Sequence, residues 1–215
     1  ARGVDPAPLL ADLLDPAYSA ERAALIGDTA SRAVRPGRPG GREPWLQSSP
    51  TIPALGFCLG TRLQMMWLDA EAPSRLEPGI RPRSTLSPTM LARDGCVVEA
   101  LGTPGGDQQD QWQLLYLLRR IVGGYEPQQA IDAPMFHTDA MVASFEPRTV
   151  QTASLTVEAR LGDAVIAELR ERGHAVTVMG PWSLGRLSAV GIDPDRGWMF
   201  AAANSRGNQG YAAGR

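Results

Sequence analysis

The stretch that most constrains this chain runs Leu101-Gly102-Thr103-Pro104-Gly105-Gly106-Asp107 and continues to Trp112. Before it, Cys96 to Leu101 is mostly apolar and partly β-branched, the composition of a strand. After it, Leu114, Leu117, Leu118 and Ile121 stand at i, i+3, i+4 and i+7, which predicts one apolar helix face, closed by Gly123-Gly124. A strand that enters a Pro-Gly-Gly turn and leaves as a helix aims several unpaired N–H groups at one point. The positive end of the helix dipole lies behind them. Adjacent glycines remove the Cβ atoms that would keep a ligand off the backbone. The turn alone fits an anion hole or an ordinary tight connection. It is neither a GxGxxG nor a Walker A loop, because both the spacing and the lysine are missing.

The 215 residues suffice for one or two compact domains with a real core. A net charge of -2 and 43% hydrophobic residues give no footprint for nucleic acid, and none is expected as a partner. No apolar run reaches spanning length; Leu114–Val122 is interrupted by Arg119-Arg120, so no membrane is expected. The opening residues lack the pattern of a signal peptide, and cytoplasm and export both stay open. Cys58 and Cys96 make no disulfide framework and have no metal-ligand spacing with His137 or His174, so neither metal nor cofactor is expected. All 21 basic residues are arginine, which suits a GC-rich bacterial genome rather than a function.

In chain order, Leu9–Leu14 and Tyr18–Ala33 read as helices, and the Pro/Gly/Arg stretch 35–44 as an exposed linker. Gly56 to Met66 reads as a buried strand region, and 81–90 as a loop of clustered hydroxyls and arginines. Met90–Ala92 and Cys96–Leu101 flank Arg93-Asp94-Gly95, a hairpin signal. Pro127–Ala133 predicts a short helix, and Ser154–Val157 a strand. Leu161, Val165 and Leu169 fall on one face of a further helix. Ala175–Met179, Leu187–Ile192 and Trp198–Ala203 read as strands, the last two joined through 193–197. Antiparallel hairpins with helices in separate layers predict an α+β fold.

Four motifs carry a resemblance. Arg81-Pro82-x-Ser84-Thr85-x-Ser87-Pro88-Thr89, Thr103-Pro104-Gly105-Gly106, Ala130-Ile131-x-Ala133-Pro134-x-Phe136-His137 and Asp193-Pro194-x-x-Gly197 with Arg206-Gly207 occur in this order. Their order and spacing resemble the γ-glutamyltranspeptidase family. Residues 1–44 resemble the last helices of that family's large subunit, and 45–215 most of its small subunit. The resemblance implies an α+β, four-layer α/β/β/α sandwich, the N-terminal nucleophile hydrolase fold, matured by self-cleavage. It implies a threonine nucleophile whose own α-amine is the base. Gly105 and Gly106 would form the oxyanion hole, and Ser84 and Thr85 would bind a substrate carboxylate. The partners implied are a small-molecule amide and a large-subunit-like chain or remaining N-terminal part.

Two departures qualify this. The family's nucleophile segment, Thr-x-His and a strand ending Gly-Asn-x-Val-Ser, belongs before Trp45, but Pro44 runs straight into Trp45. Either residues have been lost at this junction or the chain is a non-catalytic relative. Second, where the family has an acidic pair that holds the substrate α-amine, this chain has Gln64-Met65, with Arg62 close by. An enclosed ammonium needs a counter-charge, so Arg62 instead suggests a carboxylated acyl group, as in acylase-type relatives, unless Asp69 takes the lost role. His137 and His174 are expected to be structural, and Trp45, Trp112, Trp182 and Trp198 to serve packing. Arg81 and Arg83 are either solvated loop charges or steer an anion toward Ser84 and Thr85.

Overall fold

The computed structural model describes residues 51–52, 57–58, 61–206 and 212–213. The helices expected at 9–33, the linker expected at 35–44 and the Pro44–Trp45 junction lie outside the described residues. Strands β1 (Thr51–Ile52) and β2 (Phe57–Cys58) pair antiparallel. The reading of Gly56–Met66 as one strand region fails beyond Cys58, because Thr61–Met65 is a turn of 3-10 helix. Its last residue, Met65, and the following Met66 are buried.

The larger sheet holds β3 (Thr89–Arg93), β4 (Cys96–Gly102), β8 (Ser188–Asp193) and β9 (Trp198–Ala203), all antiparallel, in the order β3-β4-β8-β9. Its first hairpin turns on Asp94 and Gly95, both at positive φ (52° and 78°), the conformation the sequence signal requires. Helices α1 (Gln109–Ile121) and α2 (Pro127–Asp132) accompany one face of this sheet. Leu101, Ala189 and Ala202 from the sheet meet Trp112, Tyr116, Ile131 and Met135 there in the main core. The register places Met90, Ala100, Val190 and Ala201 in one row on the opposite face. That face stays apolar and open among the described residues, with Met90, Val190, Ile192 and Met199 exposed.

The predicted apolar stripe of α1 is corrected by this packing. Leu114, Leu118 and Ile121 are about half exposed, whereas the helix buries Gln109, Trp112, Gln113 and Tyr116. The buried positions also follow i, i+3, i+4 and i+7. Polar residues hold two of the four places, so hydropathy alone selects the wrong face.

A second, three-stranded sheet is built from β5 (Phe136–His137), β6 (Ser154–Glu158) and β7 (Ala175–Met179). β5 and β6 are antiparallel, but β6 and β7 run parallel and are joined through α3 (Asp163–Glu171), so the all-hairpin expectation fails here. A parallel pair needs a crossover of about a dozen residues or more, usually a helix, and 159–174 supplies it.

One buried carboxylate ties the two halves together. Glu158 is fully buried: Oε1 accepts from Arg206 Nε (2.7 Å) and the N–H groups of Ser183 and Leu184. Oε2 accepts from Arg160 (2.7 Å), Arg206 Nη2 (3.1 Å) and the Met135 N–H (3.1 Å). Around it, six successive carbonyls that leave α2 are all engaged. Arg119 donates to those of Ala130 and Pro134, Arg206 to Ile131 and Ala133, Arg160 to Asp132, and the Glu158 N–H to Met135. Cations at a helix C-terminus satisfy its orphan carbonyls and suit its dipole. The third sequence motif is therefore a clamped scaffold, and Arg206 is part of the clamp.

Candidate active site

The glycine turn has the predicted form. β4 ends at Gly102, a 3-10 turn spans Gly106–Gln108, and α1 follows. Gly105 has φ 140° and Gly106 φ 60°, left-handed conformations that favour glycine at both places. Gly105 has a second reason. A Cβ there would stand 2.3 Å from the Trp112 ring, so the indole one turn into α1 closes directly under it. A Cβ on Gly106 would meet only open space and the end of Gln108. Asp107 and Asp110, whose charge would oppose an anion, are already engaged: Asp107 accepts from the Ser144 N–H (2.8 Å) and Asp110 from the Ser87 hydroxyl (2.5 Å).

Arg62 and Thr85, 23 residues apart, are brought together: Arg62 Nη1 donates to Thr85 Oγ1 at 3.4 Å. The other neighbours of Arg62 are Met65 Sδ at 3.8 Å and the Phe145 ring at 5.9 Å. Among the described residues no carboxylate forms a salt bridge with it. Ser84 is exposed and its hydroxyl accepts from the Leu86 N–H, a local turn bond. Asp69 is exposed and caps its own turn by accepting from the Glu71 N–H. Met65 is fully buried. Arg83 donates to Ser144 Oγ (2.6 Å) across a cleft of about 370 Å³ beside the N-terminus of α1.

Sequence reasoning missed Gln109, only 5% exposed. With its amide nitrogen turned toward the two nearby carbonyls, it donates to Thr85 O (3.2 Å) and Thr103 O (2.9 Å), while its oxygen accepts from the Gly106 N–H (3.3 Å). The loop that carries Thr85 and the glycine turn are thereby joined by one side chain. No residue-type signal marks such a bridge in the sequence; its one clue is a glutamine in the helical stripe that contains Trp112 and Tyr116.

His137 packs edge-on to Trp112, with ring centroids 5.6 Å apart, and stands 3.8 Å from Asp139. Burial pushes its pKa below the ordinary value against the opposing pull of Asp139, so it is neutral at neutral pH, consistent with a structural role. Trp112 is buried as expected, and Trp182 lies beneath Arg160 and Arg206. Trp198 departs from the packing expectation: it is 66% exposed. Among the described residues no group of three or more His, Cys, Asp or Glu is placed to hold a metal ion, and no helix is long and apolar enough to cross a membrane.

The α+β fold is the one these solved relatives share, the four-layer α/β/β/α fold of the N-terminal nucleophile hydrolases. Residues 42–214 match the family model described as gamma-glutamyltranspeptidase, and the chain belongs to that family. It is 31% identical over 169 residues to the glutathione hydrolase-like YwrD proenzyme of Bacillus subtilis (strain 168), covering 78% of this chain and 31% of that protein. It is also 31% identical over 169 residues to the oxamate amidohydrolase proenzyme of Klebsiella pneumoniae, covering 78% of this chain and 30% of the relative. The solved structure of LmbA2991HD superposes with a TM-score of 0.80 at 46% identity, over all of this chain and 44% of the other. The chain thus spans about a third of the length of the curated relatives it matches.

Proposed function

We propose that the protein is an amide-cleaving hydrolase or transferase of the γ-glutamyltransferase type, whose acyl group carries a carboxylate bound by Arg62 and Thr85. In this reading a threonine hydroxyl attacks the amide carbonyl and its own α-amine takes the proton. The N–H groups of the Gly105-Gly106 turn hold the oxyanion. The leaving amine departs protonated, and water or a second amine releases the acyl group from the threonyl ester. The threonine belongs to the segment that the family carries before Trp45. A large-subunit-like partner, or the remaining N-terminal part, would cover the open apolar face of the larger sheet.

The observation that carries the acyl assignment is the Arg62 guanidinium, half-buried and facing only neutral partners among the described residues. A cation in that setting gains most from a ligand carboxylate. The Klebsiella relative, named for oxamate, an amide that bears a carboxylate, agrees with this. A γ-glutamyl acyl group is the second reading. The fully buried Met65 leaves its ammonium without the family's acidic partner, which favours an acyl group that has no such charge.

Intact mass and N-terminal sequencing of the purified protein come first. Two polypeptides, the smaller starting with threonine, support the hydrolase; a single uncut chain with Pro44 joined to Trp45 removes it. Release of p-nitroaniline from succinyl and γ-glutamyl anilides then separates the acyl classes. An unchanged KM for the succinyl anilide in Arg62→Ala would end the role given to Arg62.

A further inference from the structure

We infer that Gln109 is a positioning residue that couples occupation of the acyl-carboxylate site to the oxyanion turn; this rests on the proposed reading of that site. The geometry is specific. A primary amide offers two N–H donors and one carbonyl in a single plane. Here the donors are engaged by Thr85 O and Thr103 O and the carbonyl by the Gly106 N–H, at 3.2, 2.9 and 3.3 Å. Three partners fix its orientation, and the side chain is buried among them. A shift of the Thr85 backbone therefore turns the amide plane and moves the acceptor that faces Gly106.

The three bonds are unequal, and that matters. At 3.3 Å the Gly106 contact lies beyond the usual N–H···O range, whereas the Thr103 contact is near its optimum. Gln109 thus orients the Gly106 N–H without holding it firmly. A developing oxyanion is a charged acceptor and forms a bond roughly twice as strong, so the N–H passes to it at little cost. The signal enters at the other end. Arg62 reaches the Thr85 hydroxyl, and a carboxylate drawn to Arg62 bears on the same residue whose carbonyl Gln109 holds. The Gly105 side of the turn has no such freedom, because Trp112 closes beneath it. Gln109 touches neither acyl group nor reacting carbonyl in this account; it acts through Thr85 and Gly106.

The test uses the whole self-processed enzyme and two substrates, succinyl p-nitroanilide and its uncharged counterpart butyryl p-nitroanilide. The wild-type enzyme is expected to favour the succinyl substrate in kcat as well as in KM. Gln109→Met keeps the length and loses all three bonds. It should lower kcat for the succinyl anilide by about tenfold or more, in line with an ill-placed oxyanion donor, and bring the two kcat values together. The succinyl KM should stay within about twofold, since Arg62 and the Thr85 hydroxyl are untouched; a merely structural role would move both parameters for both substrates. Gln109→Glu keeps an acceptor for Gly106 but loses the donors to Thr85 and Thr103. It should lose the kcat preference as well, and it carries the test if the Met variant does not fold. A kcat preference that survives in the variants overturns the inference. If the wild-type enzyme shows no preference for the succinyl substrate, the acyl-carboxylate reading itself fails, a result read before any variant is made.

Discussion

Two arginine-centred regions of this molecule contrast sharply. Around Glu158 the charges are buried, and both carboxylate oxygens are saturated by Arg160, Arg206 and three backbone N–H groups. At Arg62 the cation touches a hydroxyl, a thioether and a ring, and no described carboxylate pairs with it. The first arrangement has no capacity left for a ligand and holds chain to chain. The second has charge to spare. Charge alone does not mark a site; the state of its partners does.

The largest effect that sharpens this contrast is expected from Glu158→Gln. It leaves Arg206 buried without its counter-charge, and removal of one partner from a buried pair costs about 3–5 kcal/mol. Urea unfolding of the variant checks it; a loss no greater than that of a surface substitution would break the comparison. Next comes Gly105→Ala, whose methyl must displace the Trp112 ring at an unfavourable φ, an overpacking that costs about 1–3 kcal/mol. Its unfolding midpoint and its amide hydrolysis should fall together.

Acidity tests the same contrast at intermediate size. Burial raises the pKa of Glu158, but the Arg206 hydrogen bond and the N–H groups of Leu184 and Met135 outweigh it, and the net shift is downward. Its stabilisation is therefore complete above the unfolded value, about 4.3, and is lost as pH falls through the lower folded value. Unfolding midpoints at pH 7, 5 and 3 should show this drop in the wild-type protein and not in Glu158→Gln. His137 acts at higher pH. Its folded pKa is lowered by burial, so its contribution is complete above about 6.5 and erodes as pH falls from there toward the folded value. His137→Phe should flatten that part of the profile.

Arg62→Ala should shift stability by no more than about 0.5 kcal/mol, as for ordinary surface changes, while it weakens binding of carboxylated substrates. A large stability loss would place Arg62 with the clamp. The smallest effect is expected from Arg93→Ala. The Arg93–Asp195 pair is bidentate (2.8 and 3.2 Å) but exposed, and its loss should leave the unfolding midpoint unmoved.

Much of the fold was legible in the sequence because turns are written in local chemistry. Asp94-Gly95 and Gly197 occupy the positive φ values their hairpins require, and the Pro104-Gly105-Gly106 turn occurs where the strand ends. Pro127 opens α2 as the sequence suggests. The errors share one cause, which is that partners distant in sequence have no local signature. The parallel pairing of β6 with β7 depends on how α3 returns the chain, and nothing within either strand specifies it. The burial of Gln109 and Gln113 in place of Leu114 and Leu118 follows from bonds to residues more than 20 positions away, at Thr85 and Ser87. Within the candidate site, residue types pointed to the glycine turn, Thr85 and Arg62, and the structure brings Thr85 and Arg62 together. Geometry supplied Gln109, the indole under Gly105 and the clamp behind Phe136-His137.

The contact between Gly105 and Trp112 also limits the routes by which this sequence can change. A side chain at 105 has no room while the indole is present, and a smaller residue at 112 opens a void while 105 remains glycine. Each single step is a loss, so the two positions are expected to be inherited as a pair. Descendants of this protein that replace the tryptophan by a smaller residue are then the ones in which position 105 first becomes free to vary.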